Sequence, residues 1–210
     1  GLPFQENLRT GDARISGTTA SLAGVEKALH EEGPNELELA IRRVHLLYGV
    51  VMAIGGVPLL YLGDEIGTLN DYGYRDIAAE AHDSRWVHRP VFDWQDAGQR
   101  KDDTTIAGQV FAGIRRMIET RRACPAFAGV DAEIVDVGND AVFAFIRQHA
   151  ETRVLVLANV TEHDQTIDAN QLRVHGLAYR FRDLLTAAET TEGYDLVLGP
   201  YRQVWLVSQE

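Results

Sequence analysis

One short apolar run constrains the fold of this chain more than any other feature. Residues 57–62 (Val-Pro-Leu-Leu-Tyr-Leu) are apolar without interruption and lie between Gly56 and Gly63. A short apolar run bounded by glycines is typical of a strand buried on both faces, and Pro58 stands at its start, where proline is tolerated. Such a strand needs parallel neighbours, but residues 1–125 contain no second run of this kind.

Helical patterns flank this run on both sides. Asn35 and the acids that follow it predict a helix start, and apolar residues recur at helical spacing up to Ile54. The second half of this helix is apolar almost all round, which predicts burial on every side. A second helix is predicted from about Thr104 to the residue before Pro125. Helix, buried strand, long polar loop and helix are the order of a parallel α/β unit.

The length of the chain does not suffice for a whole barrel of such units. A (β/α)8 TIM barrel needs about 250 residues and eight strands, whereas the chain has 210 residues. We therefore expect a truncated chain. Residues 1–35 would end an inserted loop subdomain of the barrel, and residues 36–125 would be its last helix–strand–helix part. A small independent α/β fold is the alternative that the pattern leaves open.

The pattern changes after residue 125 to short strands separated by turn residues. The predicted strands are residues 133–137, 142–147, 153–160, 179–183, 194–198 and 203–207. Short strands at regular spacing predict an antiparallel β-sandwich over residues 126–210. The fold class is thus α/β followed by all-β.

The charge balance limits the partners of the chain. Its formal net charge of -11 argues against nucleic acid and anionic membranes, since both need basic patches, and suits a neutral ligand such as a sugar. The single Cys124 excludes an internal disulfide. There is no run of 18 apolar residues and no signal peptide, and we expect a cytoplasmic location.

Three polar segments are candidates for chemistry. Asp64 and Glu65 follow the apolar run, where barrel enzymes place working groups, but adjacent residues point in different directions, which favours a role in capping or orienting the loop. In residues 83–90, Arg85 beside a tryptophan suits sugar binding, and a stacked surface pair is the alternative. In residues 10–18, Arg14 between glycines is similar, with an ordinary solvated turn as the alternative.

Other kinds of site find little support in the sequence. His82 and His88 are six residues apart without supporting carboxylates, so no metal site is predicted. Gly55 and Gly56 precede a strand and indicate a helix end, not a phosphate loop. We find no paired acid and base, and expect no catalytic residue in this chain.

Three motifs together resemble one group of enzymes. Residues 56–67 (Gly-Val-Pro-Leu-Leu-Tyr-Leu-Gly-Asp-Glu-Ile-Gly) look like the last-strand motif of the α-amylase superfamily, glycoside hydrolase family 13. Residues 83–90, residues 1–5 and residues 14–18 resemble amylosucrases and the closely similar sucrose hydrolases, and residues 107–121 also fit. Trehalose synthases and oligo-1,6-glucosidases share the strand motif, but their Arg-Thr-Pro-Met-x-Trp signature is absent after it.

The resemblance implies roles for particular residues. Arg85 matches the arginine that closes the floor of the glucosyl pocket by pairing with an upstream aspartate, which this chain lacks. Arg14 matches an arginine of the acceptor subsite, and Gln5 is expected beside it. The resemblance also implies four residues that shape the site but take no part in the chemical displacement at the sugar: Asp64, Glu65, Asp83 and Arg89. Residues 72–81 depart from the expected loop, which leaves the acceptor open.

The resemblance also implies a reaction and its partners. A carboxylate from the missing N-terminal barrel segment attacks the glucosyl carbon of sucrose, fructose leaves, and an α-1,4-glucan or water takes the glucose. No cofactor is needed. Another family 13 α-glucosidase or isomerase is an alternative activity. A non-catalytic carbohydrate-binding module is the alternative of another class, and its mark would be exposed aromatic rings. Trp205 and Phe143 are expected to face the core, whereas Tyr179, Tyr194 and Tyr201 are candidates for exposure.

Overall fold

The computed structural model describes residues 1–190 and 192–209. They divide into two compact units, one of residues 1–44 and 60–112, the other of residues 45–59, 113–190 and 192–209. The three segments expected from the sequence, residues 1–35, 36–125 and 126–210, stay a prediction about the domains of a complete protein. Among the described residues, no helix is long and apolar enough to cross a membrane.

The first unit is built from a small hairpin, short helices and 3-10 turns. The hairpin pairs β1 (Leu2–Phe4) antiparallel with β2 (Arg14–Ser16). The helices are α1 (Thr19–Leu22), α2 (Val25–Glu31), the first part of α3 (Pro34–Ile54), α4 (Trp94–Gly98) and the first part of α5 (Ile106–Ala123). The 3-10 helices are Asp64–Ile66, Gly73–Asp76 and Ser84–His88. Polar side chains begin three of these elements, because Thr18, Asp83 and Asp93 accept hydrogen bonds from the free N–H groups of the first turn.

Both long helices predicted from the sequence are confirmed. Helix α3 begins at Pro34, whose fixed φ suits a first helical turn, and ends before Gly55 and Gly56, which adopt φ of 131° and 65°. Helix α5 ends at Ala123, before Pro125. The expectation that the second half of α3 is buried almost all round is wrong. Leu47 and Val51 lie half-exposed on one face, because no described element covers that face.

The predicted strand at residues 57–62 does not form. These residues have no regular secondary structure, and the side chains of Val57, Leu59 and Leu62 are 96%, 77% and 68% exposed. The physical reason is that a strand is held by ladder hydrogen bonds to its neighbours, and none of the described strands pairs with this segment. An apolar run long enough for a buried strand therefore lies in solvent.

The second unit contains the antiparallel β domain that the sequence predicts. One sheet has the order β3-β4-β5-β9-β7, with β3 (Ala132–Ile134), β4 (Val142–His149), β5 (Thr152–Asn159), β9 (Gln203–Ser208) and β7 (Phe181–Asp183). A second sheet pairs β6 (Gln165–Ile167) with β8 (Leu196–Leu198). Each of the six predicted strands overlaps an observed one. Strand β6 and the helix α6 (Ala169–Gly176) were not predicted. Together with β8 they form the second layer of the domain, which is a two-stranded sheet with a helix.

Side chains that alternate along the strands of the large sheet are buried on both of its faces. On one face, residues of β4, β5 and β9 form a core with Ile167, Leu172 and Leu198 from the small sheet and α6. On the other face lie Phe145 and Trp205, and the ring of Trp205 packs on Phe127 at 4.9 Å between centroids. The expectation that Trp205 faces the core is confirmed.

Two arginines hold the carboxyl end of α3 in the second unit. Arg147, on β4, is fully buried and donates to the carbonyl oxygens of Ala53 (2.9 Å) and Gly129. Arg121, on α5, donates to the carbonyl oxygens of Met52 and Gly56, the latter at 3.0 Å. The carbonyls of Met52 and Ala53 lie in the last turn of α3, where they have no partner within the helix and carry the negative end of its dipole. The two arginines supply both the donors and the positive charge that these carbonyls need.

Replacing Arg147 should test this arrangement. Arg147→Met keeps most of the apolar stem but removes both donors, which leaves two buried carbonyl groups unpaired. We expect the free energy of unfolding in urea to fall by about 3 kcal/mol. The matched control is Arg115→Met, because Arg115 is exposed and pairs with Glu119 on the surface of α5, and it should change stability by less than about 0.5 kcal/mol. Equal stability of the two variants would show that desolvation of Arg147 cancels its hydrogen bonds.

Candidate functional site

The hairpin and the 3-10 helix Ser84–His88 meet around the ring of Phe4 in the first unit. The guanidinium of Arg85 lies 4.5 Å from the centroid of that ring, and the hydroxyl of Ser84 donates to the carbonyl oxygen of Pro3 at 2.8 Å. Phe4 is the cross-strand partner of Arg14, and Gln5 is the next residue of the chain. The structure thus brings together three residues that the sequence singled out from segments about 70 positions apart.

Arg85 has a partner within this chain. Its Nε donates to Oδ1 of Asp83 at 2.9 Å and its Nη2 donates to Oδ2 at 2.7 Å, a bidentate fork. This hydrogen bonding lowers the pKa of Asp83 to about 2 and raises that of Arg85. This partner is not the upstream aspartate that the resemblance implies, and the pairing with that aspartate stays a prediction. Its Nη1 has no hydrogen-bond partner among the described residues and can bind a further group.

Arg14 and Gln5 present free side chains. Both are exposed, and neither side chain forms a hydrogen bond or an ion pair with another described residue. Gln5 adopts φ of 52°, a left-handed conformation that costs free energy for a residue with a Cβ. Strain of this kind at an exposed polar residue is often found at ligand-binding loops.

Asn70 and Asp71 fix the two arginine-bearing segments, and sequence reasoning missed them. The side-chain oxygen of Asn70 accepts from the N–H of Thr18 at 2.9 Å, and its amide donates to Glu26 and to the hydroxyl of Tyr72. The N–H of Asp71 donates to the carbonyl oxygen of Val87 at 2.9 Å. The only sequence signal was an Asn-Asp pair in a long polar loop, which is typical of any turn.

The tryptophan of residues 83–90, Trp86, contacts Arg89 and not Arg85. The guanidinium of Arg89 lies 5.1 Å from the ring centroid of Trp86. The alternative interpretation, a stacked surface pair of arginine and tryptophan, therefore describes Arg89 and leaves Arg85 facing Phe4. This contact agrees with the structural part implied for Arg89.

Asp64 and Glu65 point to different donors. Oε2 of Glu65 accepts from the N–H of Gly63 at 2.8 Å, which caps the turn that follows residues 57–62. Asp64 is buried, and its Oδ2 accepts from the hydroxyl of Thr19 at 3.1 Å. The two carboxylates do not face each other as a glycosidase acid and nucleophile do. Their hydrogen bonds orient the loop and helix α1.

A cavity of about 220 Å³ lies beside Asp64 in the same unit. Its polar lining includes Thr19, Thr68 and His88. Nδ1 of His88 and Oγ1 of Thr68 are buried without a hydrogen-bond partner among the described residues. Burial, and then the charges of Arg89 and Arg85, lower the pKa of His88, so its ring is neutral near pH 7. No three metal-ligating side chains cluster in the described part of the chain. Asp64 also lines this cavity, so the cavity offers hydroxyl groups, a neutral imidazole and a carboxylate, which suit the hydroxyl groups of a ligand.

Comparison with known proteins agrees with an α-amylase-type fold. Residues 132–205 match the family model described as Maltogenic Amylase, C-terminal domain. The chain is 26% identical over 172 residues to the glucosylglycerate phosphorylase of Escherichia coli (strain K12), covering 78% of this chain and 28% of the relative.

Solved structures share the fold at low sequence identity. They include AmyP in complex with maltose (TM-score 0.59, 19% identity, 83% of this chain and 35% of that chain). They also include the alpha-amylase of Geobacillus thermoleovorans complexed with acarbose (TM-score 0.58, 18% identity, 87% and 35%). A trehalulose synthase mutant, MutB, gives a TM-score of 0.57 at 17% identity (79% and 38%).

These similarities define the class at the level of fold. The chain shares its fold with these solved structures, and residues 132–205 match the model of a maltogenic amylase C-terminal domain. The predicted antiparallel C-terminal domain is confirmed, and the predicted superfamily agrees with the model matched over residues 132–205. The chain spans about a third of each solved structure and 28% of the curated relative. The barrel itself is not present among the described residues.

The pairing of Asp83 with Arg85 predicts a titration. The pKa of Asp83 lies below the ordinary 3.8, at about 2, so the ion pair is complete above about pH 4 and is lost as the pH falls through about 2. In Arg85→Met the pKa of Asp83 should rise toward 3.8, as measured by the carboxyl carbon shift in NMR. Asp102 is the control, because Thr104 lowers its pKa and Arg85 does not contact it. An unchanged pKa of Asp83 in the variant would contradict the pairing.

Proposed function

We propose that this chain is part of a retaining, sucrose-cleaving glucosyltransferase that transfers glucose from sucrose to an α-1,4-glucan and releases fructose. The observation that carries the proposal is the meeting of the Arg14 hairpin and the Arg85 segment at Phe4. These are the two segments whose sequences resemble amylosucrases, and a shared sugar site requires them to lie together.

Arg85 forms the floor of the glucosyl pocket in this proposal. Asp83 holds two of its nitrogens, which fixes the plane of the guanidinium, and leaves Nη1 for a second carboxylate or a sugar hydroxyl. The second carboxylate would be an aspartate elsewhere in the complete protein. A blind pocket closed in this way fits the terminal glucose of sucrose.

Arg14 and Gln5 line the acceptor side. Both present unpaired polar groups beside Phe4, whose ring gives an apolar surface for a sugar. Asp64, Glu65, Asp83 and Arg89 shape this region through hydrogen bonds and stacking and take no part in bond cleavage.

The chemistry requires carboxylates that this chain does not supply. In a retaining mechanism one carboxylate attacks the glucosyl carbon while an acid protonates the leaving fructose, and the acceptor hydroxyl then displaces the enzyme. We propose that an α/β barrel segment of the complete protein carries these groups. The exposed apolar residues 57–62 support this partner, because adjacent parallel strands would bury them and restore their ladder. No cofactor enters the reaction.

A second candidate differs in the acceptor. The similarity to a glucosylglycerate phosphorylase favours inorganic phosphate as the group that takes the glucose. The free guanidinium of Arg14 would suit a phosphate as well as a glucan hydroxyl. Water as the acceptor would make the protein a sucrose hydrolase.

The products of the complete protein distinguish these candidates. Sucrose would be supplied with glycogen, with inorganic phosphate, or alone, and sugars would be separated by anion-exchange chromatography. We expect fructose and elongated glucan. Glucose 1-phosphate would establish the phosphorylase, and equal glucose and fructose would establish the hydrolase. Absence of fructose in every case would contradict the proposal. The 210-residue chain is the control and should release no fructose, because it supplies no catalytic carboxylate pair.

Arg85→Ala in the complete protein tests the pocket floor. Loss of the fork should lower kcat/KM for sucrose about a thousandfold or more, because charged donors to the glucosyl unit are lost in the transition state. Arg42→Ala is the matched control, since Arg42 pairs with Glu38 on the exposed face of α3, and should leave kcat/KM unchanged. An unaltered rate in Arg85→Ala would contradict the role given to Arg85.

A further inference from the structure

A second cleft lies in the β domain and is unrelated to the arginine segments. It occupies about 210 Å³ beside α6, and its lining also includes Thr190, Gly193 and Tyr194. We call it the tyrosine cleft. Its lining includes Asn170, Leu172, Arg173, Tyr179, Thr190 and Tyr194. Tyr179 and Tyr194 are 64% and 70% exposed, so two aromatic rings stand in solvent at one depression.

Backbone and side-chain contacts fix both walls of the tyrosine cleft. Oδ1 of Asp195 accepts from the N–H of Ala169 at 3.0 Å, which ties the start of α6 to the segment beside Tyr194. The hydroxyl of Thr190 accepts from the N–H of Phe181 at 3.0 Å, and Thr190 donates its own N–H to the carbonyl oxygen of Phe181. The rings therefore project from anchored segments, which lowers the conformational entropy lost on binding.

The polar groups of the tyrosine cleft are partly used and partly free. Nε and Nη2 of Arg173 both donate to Oδ1 of Asn170, and the guanidinium lies 6.0 Å from the ring centroid of Tyr179. Nη1 of Arg173 and the amide nitrogen of Asn170 have no hydrogen-bond partner among the described residues. Two fixed donors thus lie beside two amphipathic rings.

We infer that the tyrosine cleft is a second carbohydrate-binding site that holds a neutral α-glucan chain away from the reacting centre. Tyrosine rings offer rigid apolar faces and a polar edge at low entropic cost, a combination that suits the two faces of a sugar ring. The volume lies below the range of about 300 to 1,000 Å³ of drug-sized pockets, so it fits one or two sugar units of a longer chain. The choice of α-glucan rests on the acceptor in the proposed function.

The charge of the cleft lining and of the whole chain favours a neutral ligand over an anionic one. Among the residues that the structure describes, Arg173 is the only cation that lines the tyrosine cleft, and the chain carries a formal net charge of -11. A nucleotide would also stack on tyrosine but would bring phosphates into this acidic chain. If the tyrosine cleft bound adenosine monophosphate and no glucan, our choice of ligand would be wrong.

Titration of the 210-residue chain with maltoheptaose tests the inference. Binding would be followed by calorimetry and by retardation in gels that contain amylose. Tyr179→Ala and Tyr194→Ala should each weaken binding about tenfold, and the double variant should abolish it, because each ring supplies an independent face. Tyr179→Phe should bind within about threefold of the parent chain, because it keeps the face. Val197→Ala is the control, since Val197 is exposed on β8 and does not line the cleft.

Three results would overturn the inference. These are no binding of maltoheptaose by the parent chain, binding that survives in the double variant, or tighter binding of adenosine monophosphate that the Tyr194→Ala change removes. Far-ultraviolet circular dichroism and thermal midpoints would confirm that each variant is folded. None of these results depends on sucrose cleavage, so a failure here and a failure of the proposed function are separate observations.

Discussion

The carboxyl end of α3 is the point on which the second unit of the structure depends. Its last carbonyl groups need donors, and the structure supplies guanidiniums from two other elements, Arg121 on α5 and Arg147 on β4. The helix, its neighbour and the sheet are thereby joined through one set of hydrogen bonds. Arg147 has no carboxylate partner in these bonds, and its burial lowers its pKa. Close packing adds to this junction, since Gln203 donates to the carbonyl oxygen of His45 across Gly49, where a Cβ would collide with its amide.

The same device, backbone groups held by side chains, positions the candidate site in the first unit. The hairpin and the segment of Arg85 contain little regular structure, so their positions come from Asn70, from Ser84 and from the fork between Asp83 and Arg85. Short segments fixed in this way can carry exposed, unpaired groups at a defined place. Arg14 and Gln5 are such groups, which is why the site suits a ligand of many hydroxyls more than a reaction of its own.

The two sites that we propose for carbohydrates differ in what they offer a ligand. The arginine segments offer charge and hydrogen bonds beside one aromatic ring, which favours recognition of a particular sugar. The tyrosine cleft offers two exposed rings and two free donors, which favours weak binding of a repeated unit. The exposed run at residues 57–62 is a third kind of surface. Its apolar side chains and a backbone that joins no sheet suit adjacent strands.

The sequence by itself determined the elements whose signals are local. Periodicity and caps located α3 and α5, and short runs separated by turn residues located six strands. Arg14 and Arg85 were singled out by residue type together with the resemblance of their segments to amylosucrases. It could not determine what depends on distant partners. Residues 57–62 are apolar enough for a buried strand, but a strand forms only beside others. Arg147 could be placed in a strand but not recognised as buried, and Asn70 had no pattern. Only the tertiary structure decided which partners Arg85 has, Asp83 beside it in the chain and Phe4 far from it. The contact with Phe4 could not be predicted because separation along the chain does not tell how close two segments lie in the fold.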